Sequence, residues 1–358
     1  MAAFLVRRLL SAIPVLLGIL LVTFALARSI PGDPCRAVLG ERATDEVCDA
    51  FIARYGLDQP IPNQFLIYLG NVARGDLGDS FRFSRPVSYL LAERLPVTIE
   101  LTVTALIFAV SIGIPLGVIS AYRHNSTIDV GTMMGANIGV SMPVFWLGLM
   151  LSYFFSVTLR DTIFALPPSG PFTPGFTPQP YYLAWGWVET RQAATLPMIF
   201  FSNFNILNGL LIGDLNVVGD AIRHLILPAM TVGTIPLAII ARMTRSSLLE
   251  SLGQDYIRTA RAKGLQEHVV VFGHAMRNSL LPVVTIIGLN FGFLVSGAVL
   301  TETVFGLTGI GRTLFEGITA RDYSIVQGVT LVTSIAFVLI NLLIDIIYGY
   351  LDPRIRLS

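Results

Sequence analysis

Six stretches of this chain are so long and so continuously apolar that each has to be solvated by lipid rather than by water. They cover residues 9–27, 97–121, 130–158, 225–243, 280–300 and 328–351. A bilayer-spanning helix needs about 20 mostly apolar residues, because lipid offers no partners to an unpaired backbone N–H or C=O and a helix pairs them internally. Outer-membrane strands alternate in character over about ten residues, and these windows do not. The expected fold is therefore an all-α integral membrane protein with six transmembrane helices.

Composition narrows the alternatives. The chain has 358 residues, of which 53% are hydrophobic and 13% charged. A soluble domain carries about 25% charged residues. Disordered, collagen-like and disulfide-scaffold classes are excluded. A net charge of +1 gives no reason to expect nucleic acid as a partner, and 2 Cys with 4 His give no basis for a multi-ligand metal site. No catalytic set is legible. The single lysine, Lys263, lacks the glycine spacing of a nucleotide-binding loop, and no His-Glu-x-x-His occurs.

The first window follows Arg7 and Arg8 and ends in Ala25-Leu26-Ala27, as a signal peptide would. Its apolar run is longer than the about 7–15 residues of a signal-peptide core, so it reads as an uncleaved span. Placing both termini in the cytoplasm puts Arg123, the Arg242–Arg277 group, Arg354 and Arg356 inside, as the positive-inside rule requires of short loops. The expected organisation is an N-terminal tail and first span (1–28), an external loop domain (29–96) and a five-span core (97–358). That core carries an external insertion at 159–224 and a cytoplasmic loop at 244–279.

The first external segment opens on a turn, Ile30-Pro31-Gly32-Asp33-Pro34, followed by a helix over 44–55 and an amphipathic helix over 62–74. Together they suggest a small lid on the membrane surface. Cys35 and Cys48 both fall in this segment. The sequence is compatible with two free thiols or with a disulfide, which would close a loop of about 14 residues and contribute about 3 kcal/mol. In the insertion, six prolines precede Tyr181, Tyr182, Trp185 and Trp187, which suit an aromatic layer at the interface or, as the alternative, a binding surface. Phe200–Leu215 is interrupted by Asn203, Asn205, Asn208 and Asp214, too polar for a seventh span. Glu100 and Asp345, the two acids inside spans, lie near span ends and read either as ordinary end-of-helix residues or as polar contacts with another helix.

Small residues mark close helix approach in membranes. Gly131, Gly135 and Gly139 form such a ladder on the third window, and Gly288 with Gly292 on the fifth. Ser141-Met142-Pro143 interrupts the third window and reads as a packed kink or as backbone opened to a pathway. In the cytoplasmic loop, Asp255-Tyr256-Ile257-Arg258-Thr259-Ala260-Arg261-Ala262-Lys263-Gly264 predicts a short helix with glycine just past its end and Arg261 and Lys263 near its negative pole. A further helix over 269–278 follows, and Leu281-Pro282 opens the fifth span. The residues alone fit either a helix built to be gripped or a generic basic loop.

Residues 256–265 followed by His274-Ala275-Met276-Arg277-Asn278-Ser279-Leu280-Leu281-Pro282 resemble the cytoplasmic "EAA" loop of ABC-importer permeases in its dipeptide/oligopeptide form. The Glu-Ala-Ala positions read Arg258-Thr259-Ala260 here. Residues 30–34, Tyr55-Gly56-Leu57-Asp58-Gln59-Pro60, Gly75-Asp76-Leu77-Gly78, Glu302-Thr303-Val304-Phe305-Gly306 and Ala320-Arg321-Asp322-Tyr323 are similar to the same family, in order. The resemblance implies a type I importer fold in the inner membrane. It also implies a second homologous permease subunit, two ATPase subunits that bind ATP and magnesium, and an external binding protein that delivers a peptide. Residues 256–264 would then couple the spans to the ATPases. Nickel and glutathione importers of the same family are the near alternatives. A secondary transporter is the distant one, but it would show two related halves with broken helices.

Overall fold

The first window forms helix α1 (Ala2–Ser29). The computed structural model describes residues 2–29, 35–36, 40, 43–54, 56–295 and 298–351. The turn at 30–34, Tyr55, and Arg354 and Arg356 of the tail lie outside the described residues. Two short helices follow, α2 (Asp45–Arg54) and α3 (Ile61–Ala73), then a hairpin of β1 (Asp79–Ser80) and β2 (Arg85–Pro86). Asp45 and Glu46 in the first turn of α2 favour its positive pole. Helix α3 carries no buried residue; Phe65 and Tyr68 lie against Phe24 of α1, with centroids 5.3 and 6.0 Å away. Helix α3 thus lies against the C-terminal part of α1. Cys35 and Cys48 are joined by a disulfide, and both are buried.

Helix α4 (Val87–Tyr122) begins ten residues before its apolar window, so residue 96 lies within a helix rather than at a loop boundary. The third window is not one straight span. It divides into α5 (Thr127–Ser141) and α6 (Val144–Tyr153), the latter extended by a π-turn over Phe154–Thr158, and the two arms meet at 102°. The break itself is local: a residue before proline is pushed out of the helical region, and Met142, before Pro143, is extended at φ −85°, ψ 135°. The bend is far beyond a packed kink. With the bent pair counted once, the described residues hold six candidate spans.

The insertion contains α7 (Tyr181–Ala184), α8 (Leu196–Ser202) and α9 (Asn205–Ile212). The short α8 and α9 replace any seventh span. Tyr181 and Tyr182 are buried with Ala194 and Ile199 in a small core against Tyr89 of α4; only Trp185 and Trp187 are exposed. The two tyrosines therefore belong to a packed lobe rather than to an interfacial layer. Buried Asn208 fixes this lobe: its Oδ1 accepts from Tyr181 N at 2.8 Å and its Nδ2 donates to the Gln179 carbonyl at 3.1 Å.

Helix α10 (Leu215–Leu252) is the axis of the molecule. Its 38 residues give a length of about 57 Å, roughly twice the hydrocarbon thickness. It therefore reaches from the lobe of the insertion to the opposite face, where α11 (Asp255–Ala262) follows. A π-helical segment, Val269–Ala275, leads into α12 (Met276–Val295), which runs through Pro282 instead of starting there. Then come α13 (Val299–Val304), α14 (Ile310–Thr319) and α15 (Tyr323–Leu351).

Helices α4 and α10 meet backbone to backbone. A Cβ on Gly117 would stand 2.6 Å from the Ala241 carbonyl oxygen, and one on Gly233 would stand 2.8 Å from that of Ala105. Gly288 and Gly292 of α12 sit against Ile344 and Phe337 of α15, at 2.5 and 3.0 Å from such a Cβ. Gly131 and Gly135 of α5 have nothing within 4 Å, and Gly139 makes only ordinary contact with Thr234. Overpacking costs about 1–3 kcal/mol and more where backbone must move. Gly117→Leu is therefore expected to lower the yield of folded, detergent-extracted protein several-fold, as read by size-exclusion fluorescence, while Gly135→Leu leaves the yield of the single chain unchanged.

Candidate functional site: a seated short helix and the insertion lobe

The helix over 255–262 is amphipathic at one-turn spacing, and that pattern decides its pose. Ile257 and Ala260 are buried, while Tyr256, Arg258, Thr259, Arg261, Ala262, Lys263 and Gly264 are exposed. Ile257 and Ala260 pack on Val118 and Ala121 at the end of α4, Leu248 at the end of α10, and Val270, Val271 and Ala275 of the π-helical segment. The seat is thus built from three elements, two of which are long helices of the membrane core.

Its end is closed by a Schellman arrangement: Leu265 N–H donates to the Ala260 carbonyl at 3.4 Å and Gly264 N–H to that of Arg261 at 2.9 Å. Gly264 has φ +75°, the left-handed conformation such an ending requires. The Asn278 side-chain amide donates to the Tyr256 hydroxyl at 2.9 Å, tying the helix to the start of α12. Arg261 forms a two-pronged pair with Glu267, with N···O distances of 3.1 and 2.6 Å. Those bonds lower the Glu267 carboxyl below its usual range and raise the guanidinium.

Beside the seat lies a buried ion pair invisible in the hydropathy pattern. Asp129, 3% exposed, accepts from Arg245 Nε and Nη2, each at 2.7 Å, from Asn125 N at 3.0 Å, and from the Ser120 hydroxyl. One carboxylate so ties α4, α5 and α10. The sequence signal was the helix start Ser126-Thr127-Ile128-Asp129, where Ser126 caps Asp129 N.

Elsewhere, too, carboxylates bridge elements. Glu100 accepts from Asn205 N at 3.1 Å and Ile206 N at 2.7 Å, so an acid of a spanning helix caps α9 of the insertion. Asp345 pairs with Arg8 at 3.1 Å. Both are contacts between helices rather than incidental end residues. Glu302, wholly buried, accepts from the Thr98 hydroxyl at 2.6 Å and Arg312 N at 2.8 Å. Burial raises its carboxyl above the ordinary range against these donors. Asp322, also wholly buried, accepts from the Ser80 hydroxyl at 2.7 Å and Arg82 N at 2.9 Å, holding the hairpin to the start of α15. Between α4 and the insertion opens a basin of about 860 Å³ with mixed walls, lined by Arg85, Glu93, Arg94 and Asn205 and by Phe172 and Ile199 among others.

Every buried acid named here is occupied by structural donors, and no group of three or more metal-ligating side chains occurs among the described residues. The class defined by this arrangement is a polytopic membrane subunit in which carboxylates and glycines join helices and one compact helix protrudes from the core. Residues 113–357 match the family described as binding-protein-dependent transport system inner membrane component, and residues 1–102 match its N-terminal membrane component. The chain is 43% identical to the dipeptide transport system permease protein of Alkalihalophilus pseudofirmus over 356 residues, 99% of this chain and 100% of that one. It is 44% identical over 357 residues to the di/tripeptide transport system permease protein of Pseudomonas aeruginosa, covering 99% of both. The dipeptide transport system permease protein of Escherichia coli is 43% identical over 363 residues, again covering 99% of both chains.

The chain belongs to the inner membrane components of binding-protein-dependent transport systems. It is a multi-pass permease subunit of an ABC importer; an external binding protein and ATPase subunits are its partners, and ATP hydrolysis is theirs.

Proposed function

We propose that this permease imports di- and oligopeptides, and that α11 with Lys263 and Gly264 is the helix through which ATPase subunits drive it. The observation that carries the reading is the division of one short helix into a buried pair, Ile257 and Ala260, and an otherwise exposed surface seated on the ends of α4 and α10. A force on that surface is passed directly to two helices that extend to the outer lobe. The peptide assignment draws on relatives more than 40% identical over nearly their whole length. In the full assembly a second homologous permease completes the pathway, two ATPases bind ATP and magnesium, and both termini of this chain face the cytoplasm. The open Gly131/Gly135 face of α5 is a natural place for the second permease.

Orientation and coupling have a common test. Lys263→Cys, introduced with Cys35 and Cys48 left in place, is expected to react with a membrane-impermeant maleimide only in inverted vesicles, and to be shielded when the ATPases are bound. Labelling of intact cells from outside would invert the topology and overturn the coupling role.

A further inference from the structure

We propose that the edge of the coupling seat holds an anionic glycerophospholipid. A cleft of about 350 Å³ lies between the end of α4, the start of α5 and the π-helical segment. It is lined by Val118, Ile119, Tyr122, Ile128, Val271 and Phe272, with Arg123 and His268 at its rim. Its volume falls in the about 300–1,000 Å³ range of ligand clefts. The lining is strongly apolar, yet Ile119, Tyr122, Ile128 and Phe272 are 45, 55, 42 and 62% exposed. An acyl chain suits such walls.

The rim decides which lipid. Arg123 and His268 are both exposed. Their neighbours in sequence offer them no carboxylate: Asp129 is taken by Arg245 and Ser120, and Glu267 by Arg261. The cleft therefore combines apolar walls with a guanidinium and an imidazole, just past the apolar window of α4; basic pockets of this kind on the cytoplasmic side of spanning helices suit anionic headgroups. The cleft shares Val118 and Val271 with the core that seats Ile257 and Ala260, so an acyl chain lodged there packs on two residues of the seat of the coupling helix. The inference deepens the coupling reading and rests on this face being the cytoplasmic one.

The test uses the purified importer complex in detergent, titrated with dioleoyl phosphatidylglycerol or dioleoyl phosphatidylcholine and read by native mass spectrometry. The expected result is a preference of about fivefold or more for phosphatidylglycerol, weakened by salt, and lost in the double variant Arg123→Gln/His268→Gln. Ile128→Trp, which fills the cleft and leaves the rim intact, is expected to abolish retention of the bound lipid. Equal binding of the two lipids, or a preference that survives both variants, overturns the proposal. So does a photo-reactive residue at position 272 that crosslinks to an ATPase subunit instead of lipid. Outside labelling of Lys263→Cys would instead overturn the orientation while leaving a measured lipid preference standing, so the two failures are distinguishable.

Discussion

Replacing Gly264 by valine is expected to reduce uptake of a radiolabelled dipeptide about tenfold or more while leaving the amount of membrane-inserted protein unchanged. The argument is conformational. A Cβ on Gly264 would meet nothing within 4 Å, so no contact is lost and nothing is crowded. What valine loses is the backbone conformation: φ is +75°, and an L-residue there costs about 1–2 kcal/mol, with β-branched residues at the unfavourable end. Relieving it unwinds the Schellman closure, frees Leu265 N–H from the Ala260 carbonyl, and shifts Arg261 and Lys263 on the exposed surface. Since about 1.4 kcal/mol is a factor of ten in population, a modest backbone cost becomes a large loss of correctly presented helix. Asparagine tolerates the left-handed region, so Gly264→Asn is expected to retain most of the uptake. Equal uptake by the valine variant would show that the capped end of α11 is not used in coupling. Equal loss in both variants would show that glycine is needed for close contact with a partner rather than for its backbone freedom.

What could be read from the sequence follows from how local each signal is. The spans were legible because lipid solvation demands about 20 apolar residues in a row, and α11 was legible because its glycine ending and charge placement lie within ten residues. Helix lengths were not. Helix α10 continues past both edges of its apolar window because Asp214 caps it in one compartment and Gly253 ends it in the other. The sharp bend at Met142-Pro143 was visible as a break, but its 102° angle is set by the packing of α6 on α10 and α13. Glycine ladders were legible as spacing and ambiguous as contact. Gly288 and Gly292 pack within the chain, Gly131 and Gly135 do not, and Gly113 with Gly117, which carry the same four-residue spacing, bring α4 against the backbone of α10. The acids were least legible. Glu100, Asp129, Glu302 and Asp322 each bind donors distant in sequence or on another helix, and no hydropathy window registers a carboxylate that is buried because something far along the chain meets it.

Asp129 provides the sharpest test of that long-range architecture. Its carboxylate receives two N–H groups from one guanidinium, and Arg245 is itself only 28% exposed. Removing one member of a buried pair leaves the other charge uncompensated and costs about 3–5 kcal/mol. Arg245 retains some access to water, so Asp129→Ala is expected at the lower end of that range, with a clear fall in the unfolding midpoint of the purified complex. The double variant Asp129→Ala/Arg245→Met removes the stranded cation as well and is expected to recover most of the loss, giving a favourable interaction energy in the double-mutant cycle. Uptake should behave differently. The pair ties α5 to the ends of α4 and α10, and those ends supply Val118, Ala121 and Leu248 to the seat of α11. On the proposed coupling role of α11, its movement without the tie displaces its seat rather than the spans, so the stable double variant is expected to remain poor in transport while ATP hydrolysis by the assembled importer continues. Full uptake in the double variant would reduce the pair to a stabilising contact; an unchanged midpoint in Asp129→Ala would remove it from the fold's energetics altogether.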